Sequence, residues 1–273
     1  MDTKAKKSLG QNFLRDQSVI EHILRVADVQ TSDRIFEIGP GTGALTQALS
    51  LTGATVLAIE IDPQLVERLN KIFVESRNTS ILEGSILDMN LEELLAHAGF
   101  EYQQYKVVAN IPYYITAPII RTLLSLQSQP SSITVMVQNE VAERIVAQPG
   151  SMSILSVMAQ YYAEVKKCFF VPRTAFDPVP AVDSAVLQLF PKHRFQACED
   201  RHVFRVVRAG FSARRKTLAN NLSNTFHVER VRIEQLFDAL GIPSMIRAQE
   251  LSVAQWRALA DLVAKEIDAS TGL

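Results

Sequence analysis

The feature that most restricts this chain is an apolar run closed by glycines and followed at once by a helix-like pattern. "RIFEIGPGTGALTQALSL" (34–51) passes from a strand, through Gly39, Gly41 and Gly43, into a helix with no room for a longer loop. Glycine has no Cβ, so the backbone can turn tightly there and a ligand can come up against the main chain. A second apolar run, "ATVLAIEI" (54–61), follows and carries Glu60 near its end. Strand, short turn, helix and strand in this spacing form a crossover unit, which requires neighbouring parallel strands.

The same alternation continues. "PQLVERLNKIFVE" (63–75) has apolar residues at helical spacing, "SILEG" (80–84) reads as a third strand and "KVVAN" (106–110) as a fourth. "APIIRTLLSL" (117–126) is helical, and "SITVMVQ" (132–138) is a fifth strand. "SILSVMAQYYA" (153–163) reads as a helix. "CFFV" (168–171) and "SAVLQLF" (184–190) read as late strands joined by the proline-punctuated "PRTAFDPVPAVD". After Pro191 the pattern is helical only, in "RHVFRVVRAGF" (201–211), "RRKTLANNL" (214–222), "RIEQLFDAL" (232–240) and "VAQWRALADLVAKEI" (253–267). The expected architecture is therefore an α/β domain with a parallel sheet and crossover helices over residues 1–191, and a small all-helical domain over 192–273. No repeat or low-complexity tract interrupts it.

Composition narrows the function classes. With 47% hydrophobic and 21% charged residues, the chain is ordinary globular material. It has neither a secretory signal nor an apolar run near the ~20 residues of a membrane span, so a cytoplasmic protein with no membrane partner is expected. Cys168 and Cys198 lack the spacing of a zinc site or a disulfide framework, and no metal is expected. His22, His97, His193, His202 and His227 are scattered and read as surface or packing residues. The net charge of −1 hides local asymmetry. Arg201, Arg205, Arg208, Arg214, Arg215 and Lys216 follow one another with no acid between them, and Lys4, Lys6, Lys7 and Arg15 form a second basic group. Such a run is either a solvated face or a phosphate-binding one.

The glycine turn is G-x-G-x-G rather than the G-x-G-x-x-G of dinucleotide binders, and no Walker lysine follows. A carboxylate ending the next strand, Glu60, can accept bonds from both hydroxyls of a ribose, which points to a nucleoside cofactor; the turn alone would read as structural. This part resembles the Rossmann-like methyltransferases that bind S-adenosylmethionine. The resemblance implies that Gly39 and Gly41 run beside the amino-acid part of that cofactor, that Glu60 holds its ribose, and that "EGSIL" lies over its adenine. Relatives commonly carry an acid where this chain has Ser85, a shorter and uncharged acceptor, so somewhat weaker cofactor binding or a contact through water is expected.

The fourth strand ends in "NIPYYIT" (110–116). An adenine amine is a poor nucleophile because its lone pair is delocalised into the ring. The Asn110 side-chain oxygen and the Ile111 carbonyl, each accepting one amine hydrogen, would free that lone pair and stabilise the charge developing on nitrogen. Pro112 fixes the chain direction, and Tyr113 offers a flat face on which an extruded base can stack. A bare N-x-P-Y reads equally as a strand followed by a tight turn. Its position downstream of the glycine turn and Glu60 favours the chemical reading.

With "SLGQNFL" (8–14), "EIGPGTGALT" (37–46), "NIPYYIT", "QNEVAERI" (138–145) and "FDPVPAVDSAV" (176–186) in order, the chain closely resembles the KsgA/RsmA family of small-subunit rRNA adenine dimethyltransferases. The resemblance implies that Gln11, Asn12 and Leu14 close over the cofactor, with Asn110 beside it, and that Phe176 stacks the target base opposite Tyr113. Read by itself, Phe176 is as well a core residue. The implied reaction is successive transfer of methyl groups to the amines of two adjacent adenosines in a loop near the 3′ end of 16S rRNA, without a metal or a catalytic base. The partner would be rRNA within the 30S subunit or its precursor, with Arg205, Arg208, Arg214, Arg215 and Lys216 as phosphate contacts. A monomer is the default. The alternatives are an Erm-type dimethylase of large-subunit rRNA, a DNA adenine methyltransferase, and an assembly factor in which catalysis is dispensable.

Overall fold

The computed structural model describes residues 6, 10–192 and 197–271. The chain forms two compact units, one of Met1–Glu143 with Ala163–Arg194 and the other of Arg144–Tyr162 with Phe195–Leu273. The stretch 144–162, which lies inside the segment 1–191 of the sequence reading, clusters with the second unit.

The first unit contains β1 (Phe13–Leu14), α1 (Gln17–Ala27), β2 (Arg34–Ile38), α2 (Ala44–Leu51), β3 (Thr55–Glu60), α3 (Pro63–Ile72), β4 (Thr79–Glu83), α4 (Leu91–His97), β5 (Lys106–Asn110), α5 (Thr116–Leu124) and β6 (Ser132–Gln138). The boundary between the units falls within α6 (Asn139–Ile145), and α7 (Ile154–Tyr162) belongs to the second. The chain then returns as β7 (Ala163–Val171), β8 (Phe176–Asp177) and β9 (Ser184–Pro191).

One sheet has the order β4-β3-β2-β5-β6-β9-β7. Its first five strands are parallel, whereas β9 runs antiparallel to both β6 and β7. The reversal follows from the connection: Pro172–Asp183 holds no crossover helix, so β9 can only return antiparallel to β7. Central strands buried on two faces should be apolar throughout. Val107 and Val108 of β5 and Ile133, Val135 and Val137 of β6 are indeed fully buried.

The sequence reading passed over α1, although Asp16 caps it by accepting from the Ser18 and Val19 amides and Val19, Ile20, Ile23 and Ala27 form its buried stripe. β7 also begins earlier than "CFFV". Its first half, "AEVKK", lies on the sheet edge with Glu164 and Lys166 exposed, so no apolar run marks it. Its end carries Phe169, stacked on His22 with ring centroids 3.9 Å apart.

The second unit packs α7, α8 (Ala197–Gly210), α9 (Leu218–Phe226), α10 (Arg230–Ala239) and α11 (Val253–Thr271) around Trp256, Phe237, Leu222 and Val207. The expected helix 214–222 starts only at Leu218. Residues 211–216 instead form a turn, held by the buried Asn221 amide, which donates to the Gly210 carbonyl (2.6 Å) and the Ala213 carbonyl (3.1 Å). Among the described residues no helix is long and apolar enough to cross a membrane. Lys4, Lys7, Ser8, Leu9, His193 and the Cys198 side chain lie outside the described residues.

Candidate active site

β2 connects to β3 on one side of it in the sheet, and β5 lies on the other side. Connections leaving in opposite directions open a crevice at the carboxyl ends of the two central strands, the usual ligand position in such sheets. The glycine turn follows β2 and Asn110 ends β5, so both arrive at that crevice by register alone.

The turn is shaped by close approach. Gly41 has φ +60°, and a Cβ there would lie 3.2 Å from the Phe13 ring. Gly43, at φ +89°, caps α2, and a Cβ there would meet the Leu69 side chain at 2.6 Å. Only glycine fits these two positions without strain. Glu60 ends β3, where its carboxylate accepts from the Gly41 amide (3.0 Å) and the Asp62 amide (3.0 Å). Burial raises its pKa, and these two amides act in the opposite direction without cancelling it. A carboxylate has about four acceptor sites, so about two remain for a ligand.

Across the crevice runs an N-terminal strap. Leu14 pairs with Phe176 and Phe13 with Asp177, in the two-stranded ladder of β1 and β8. The Arg15 and Asp16 amides donate to the Ala175 carbonyl (2.8 and 3.3 Å). Upstream, Lys6 Nζ lies 2.7 Å from Asp62 Oδ1 and Gln11 Nε2 donates to Oδ2 (3.1 Å). Burial opposes ionisation of Asp62, yet the hydrogen bonds from Lys6, Gln11 and the Gln64 amide prevail and hold its carboxyl below the usual range. Asn12 turns back to the Gly10 carbonyl, and the Tyr114 ring lies against Gly10.

The cleft so formed is lined by Gln11, Asn12 and Leu14 of the strap, Gly39 and Gly41 of the turn, Glu60, Ser85, and Asn110 through Tyr113. The Asn110 side chain makes no hydrogen bond to any described residue. The Tyr113 hydroxyl is 2.6 Å from Ser184 Oγ. Burial raises the Tyr113 pKa, partly offset by that hydrogen bond, so the phenol stays neutral. None of the described histidines lines the cleft, and no group of three or more His, Cys, Asp or Glu among the described residues could hold a metal.

Phe176 is placed differently from the role implied by resemblance. It is 3% exposed and packs in the core with Leu14, Val171 and Val186, outside the cleft lining. As placed, the ring offers no open face to a base; its strand anchors the strap instead.

Two cleft residues, Glu37 and Tyr114, escaped the sequence reading, as did Asp62, which holds the cleft residue Gln11. Glu37 is 1% exposed, its Oε2 has no hydrogen-bond partner among the described residues, and burial pushes its pKa up to about 8. A carboxylate between the apolar Phe36 and Ile38 was the signal. For Asp62 the local signal was an acid immediately before Pro63, where it caps α3. Tyr114, 57% exposed on the cleft wall, had no signal beyond its neighbour.

In the second unit, Arg201, Arg205 and Arg208 are exposed at positions i, i+4 and i+7 of α8, one helix face. Arg214, Arg215 and Lys216 are exposed in the turn that follows. Arg205 also lies over the Phe226 ring, 5.1 Å from its centroid. None of the six is ion-paired among the described residues.

The family described as "Ribosomal RNA adenine dimethylase" matches residues 2–265 of the chain. A protein of Levilactobacillus brevis named "Ribosomal RNA small subunit methyltransferase A" is 41% identical over 256 residues, covering 91% of this chain and 86% of the relative. Proteins of the same name from Lactiplantibacillus plantarum and Dehalococcoides mccartyi are 39% and 38% identical, each covering 94% of this chain and 90% and 87% of the relative. Among solved structures, a dimethyladenosine transferase of Plasmodium falciparum superposes with a TM-score of 0.76 at 24% identity, covering 93% of this chain and 98% of that one. The 23S rRNA methyltransferase ErmE superposes with a TM-score of 0.71 at 26% identity, covering 93% and 100%.

Proposed function

The chain belongs to the ribosomal RNA adenine dimethylase family, and on that premise we propose that it methylates the exocyclic amines of two adjacent adenosines in a loop near the 3′ end of 16S rRNA. It is an rRNA methyltransferase; the choice of the small subunit rests on relatives so named at 38–41% identity along nearly the whole chain. The large-subunit alternative has ErmE in its favour, at 26% identity. The protein would act as a monomer in the cytoplasm, on the 30S subunit or its precursor.

The observation that carries the chemistry is an unpartnered Asn110 amide at the end of the central strand β5, opposite the glycine turn and beside a tyrosine ring. The cleft suits S-adenosylmethionine. Gly39 and Gly41 line the cleft without side chains, Glu60 keeps acceptor sites for ribose hydroxyls, and the orphaned Glu37 oxygen can accept from an ammonium group. Gly39, Gly41, Glu60 and Ser85 would hold that cofactor under Gln11, Asn12 and Leu14. When bound, it supplies an electrophilic sulfonium methyl group. Asn110 Oδ1 and the Ile111 carbonyl accept the two amine hydrogens of the adenine and draw its nitrogen toward a tetrahedral form. Tyr113 stacks the base, contributing about 1–3 kcal/mol. Pro112, at φ −58° and ψ 134°, sets the direction of the chain between them. The proton is lost to solvent after transfer, because a methylated aryl ammonium is strongly acidic. Arg205, Arg208, Arg214, Arg215 and Lys216 contact rRNA phosphates and set its register without reading bases.

The test is radiolabelled methyl transfer from S-adenosylmethionine to undermethylated small subunits, with large subunits in parallel, followed by nucleoside analysis. Dimethyladenosine in the small subunit alone is the expected result. Label in the large subunit instead would transfer the assignment to the Erm-type activity. No label in either, with cofactor binding intact, would refute the rRNA reading.

A further inference from the structure

Tyr113 is held at both ends. Its backbone follows Pro112 in a short 3-10 turn, and its hydroxyl meets Ser184 Oγ at 2.6 Å. Ser184 is fully buried at the first position of β9, where it pairs with Gln138 of β6 and Val171 of β7. Its neighbour Asp183 accepts from the Arg173 amide through Oδ1 (2.9 Å) and from the Asn139 amide through its carbonyl (2.9 Å). The serine therefore stands on a fixed support, tied into two strands and two loops. A ring held at the Cβ and at the para oxygen keeps its long axis in place and can only turn about it, so it cannot swing away before a base arrives and less ordering remains for the moment of binding.

We propose that Ser184 is a positioning residue whose hydroxyl, through Tyr113, controls how completely the second methyl group is added. This inference rests on the adenine-methylating reading of the same cleft. The unmodified amine has two N–H groups and meets both acceptors, Asn110 Oδ1 and the Ile111 carbonyl. After the first transfer one N–H has become N–CH3, and only one of those hydrogen bonds can form. Orientation of the monomethylated base then depends more heavily on the stacked ring. Loosening the ring slows both transfers and slows the second more, so monomethyladenosine accumulates.

The experiment compares the ratio of monomethyl- to dimethyladenosine formed on undermethylated small subunits by wild type, Ser184→Ala, Tyr113→Phe, the double variant and Ser184→Thr. The expected ratio rises about fivefold in each of the first two variants, corresponding to about 1 kcal/mol at 1.36 kcal/mol per tenfold. The double variant should show no further rise, because both changes break the same bond. Ser184→Thr, which keeps a hydroxyl, should return the ratio toward wild type. A variant that merely contains less folded enzyme lowers both products together and leaves the ratio, extrapolated to equal turnover, unchanged. Tyr113→Phe decides the matter even if Ser184→Ala does not fold: an unchanged ratio with Tyr113→Phe overturns the proposal. So does a rise with Ser184→Ala alone, since the effect would then bypass the phenol. Wild type that leaves no methyl group on either subunit would refute the underlying reading as well, an outcome distinct from full dimethylation by every variant.

Discussion

Replacing Glu37 with glutamine should make the first unit more stable as pH rises, even though it removes a carboxylate from the cleft. Glu37 sits in β2 with 1% exposure and an unpartnered Oε2, and burial moves its pKa from 4.5 to about 8. The protonated form is thus the one the fold tolerates. Its contribution is fully present below pH 4.5 and is lost as pH climbs through 8. Over those 3.5 units, at 1.36 kcal/mol each, the wild-type fold loses about 5 kcal/mol relative to a neutral side chain. Glutamine has nearly the same shape and never ionises. The variant should lead by only about 1 kcal/mol at pH 5, by about 3 kcal/mol at pH 7, and by nearly the full amount at pH 9. The chain's single tryptophan, Trp256, lies in the second unit, so its fluorescence reports the wrong core. Urea unfolding should therefore be followed by pulse proteolysis with peptides from 34–60, with Trp256 emission as the internal control. Parallel stability-versus-pH curves for the two proteins would refute the assignment of a protonated Glu37.

Asn110→Ala should lower methyl transfer by about a hundredfold or more while leaving cofactor and RNA binding intact, since it removes one transition-state acceptor; near-normal turnover in single-turnover assays would eliminate the amine-aligning role. Replacing Arg214 and Arg215 with alanine should weaken small-subunit binding and reduce the slope of log K against log salt by about 1 to 2. An unchanged slope in filter binding would return the turn to a plain solvated surface. Ser85→Asp should tighten S-adenosylmethionine binding about tenfold in calorimetry by adding a charged acceptor, and an unaltered affinity would show that residue 85 makes no polar contact with the cofactor.

The parts of this molecule that were legible in sequence are those where local chemistry and topology coincide. The glycine turn, Glu60 and Asn110 lie at strand ends of a parallel sheet, so once the strands are recognised the strand order brings them together. What escaped depends on pairing between distant segments. The β1–β8 ladder joins two pairs of residues more than 160 positions apart, and neither pair is long enough to show a period. Phe176 illustrates the difficulty. An aromatic ring before a proline-rich loop has the same sequence signature whether it faces a ligand or, as here, packs beneath Leu14. Asp62 went unread altogether: an acid just before Pro63 carries the local signal of a helix cap, but its bonds to Lys6 and Gln11 leave no signal, because a cap needs only its own helix while a latch needs a partner some fifty positions away. The helix expected at 214–222 failed at its start for a similar reason: Asn221 serves the carbonyl that ends the preceding helix and that of Ala213 in the turn, a demand that propensity does not record.

The second unit draws on two stretches of chain, and this has a consequence for synthesis and for truncation. Met152 and Val157 belong to the same core as Leu222, Phe237 and Trp256. During translation they emerge roughly a hundred residues before α11, about 5–20 seconds at about 5–20 residues per second. Through that interval the nascent chain carries an apolar helix without its companions. A protein cut after Pro191 would retain that orphaned helix for good, and should aggregate or bind chaperones even though every strand of the sheet is present.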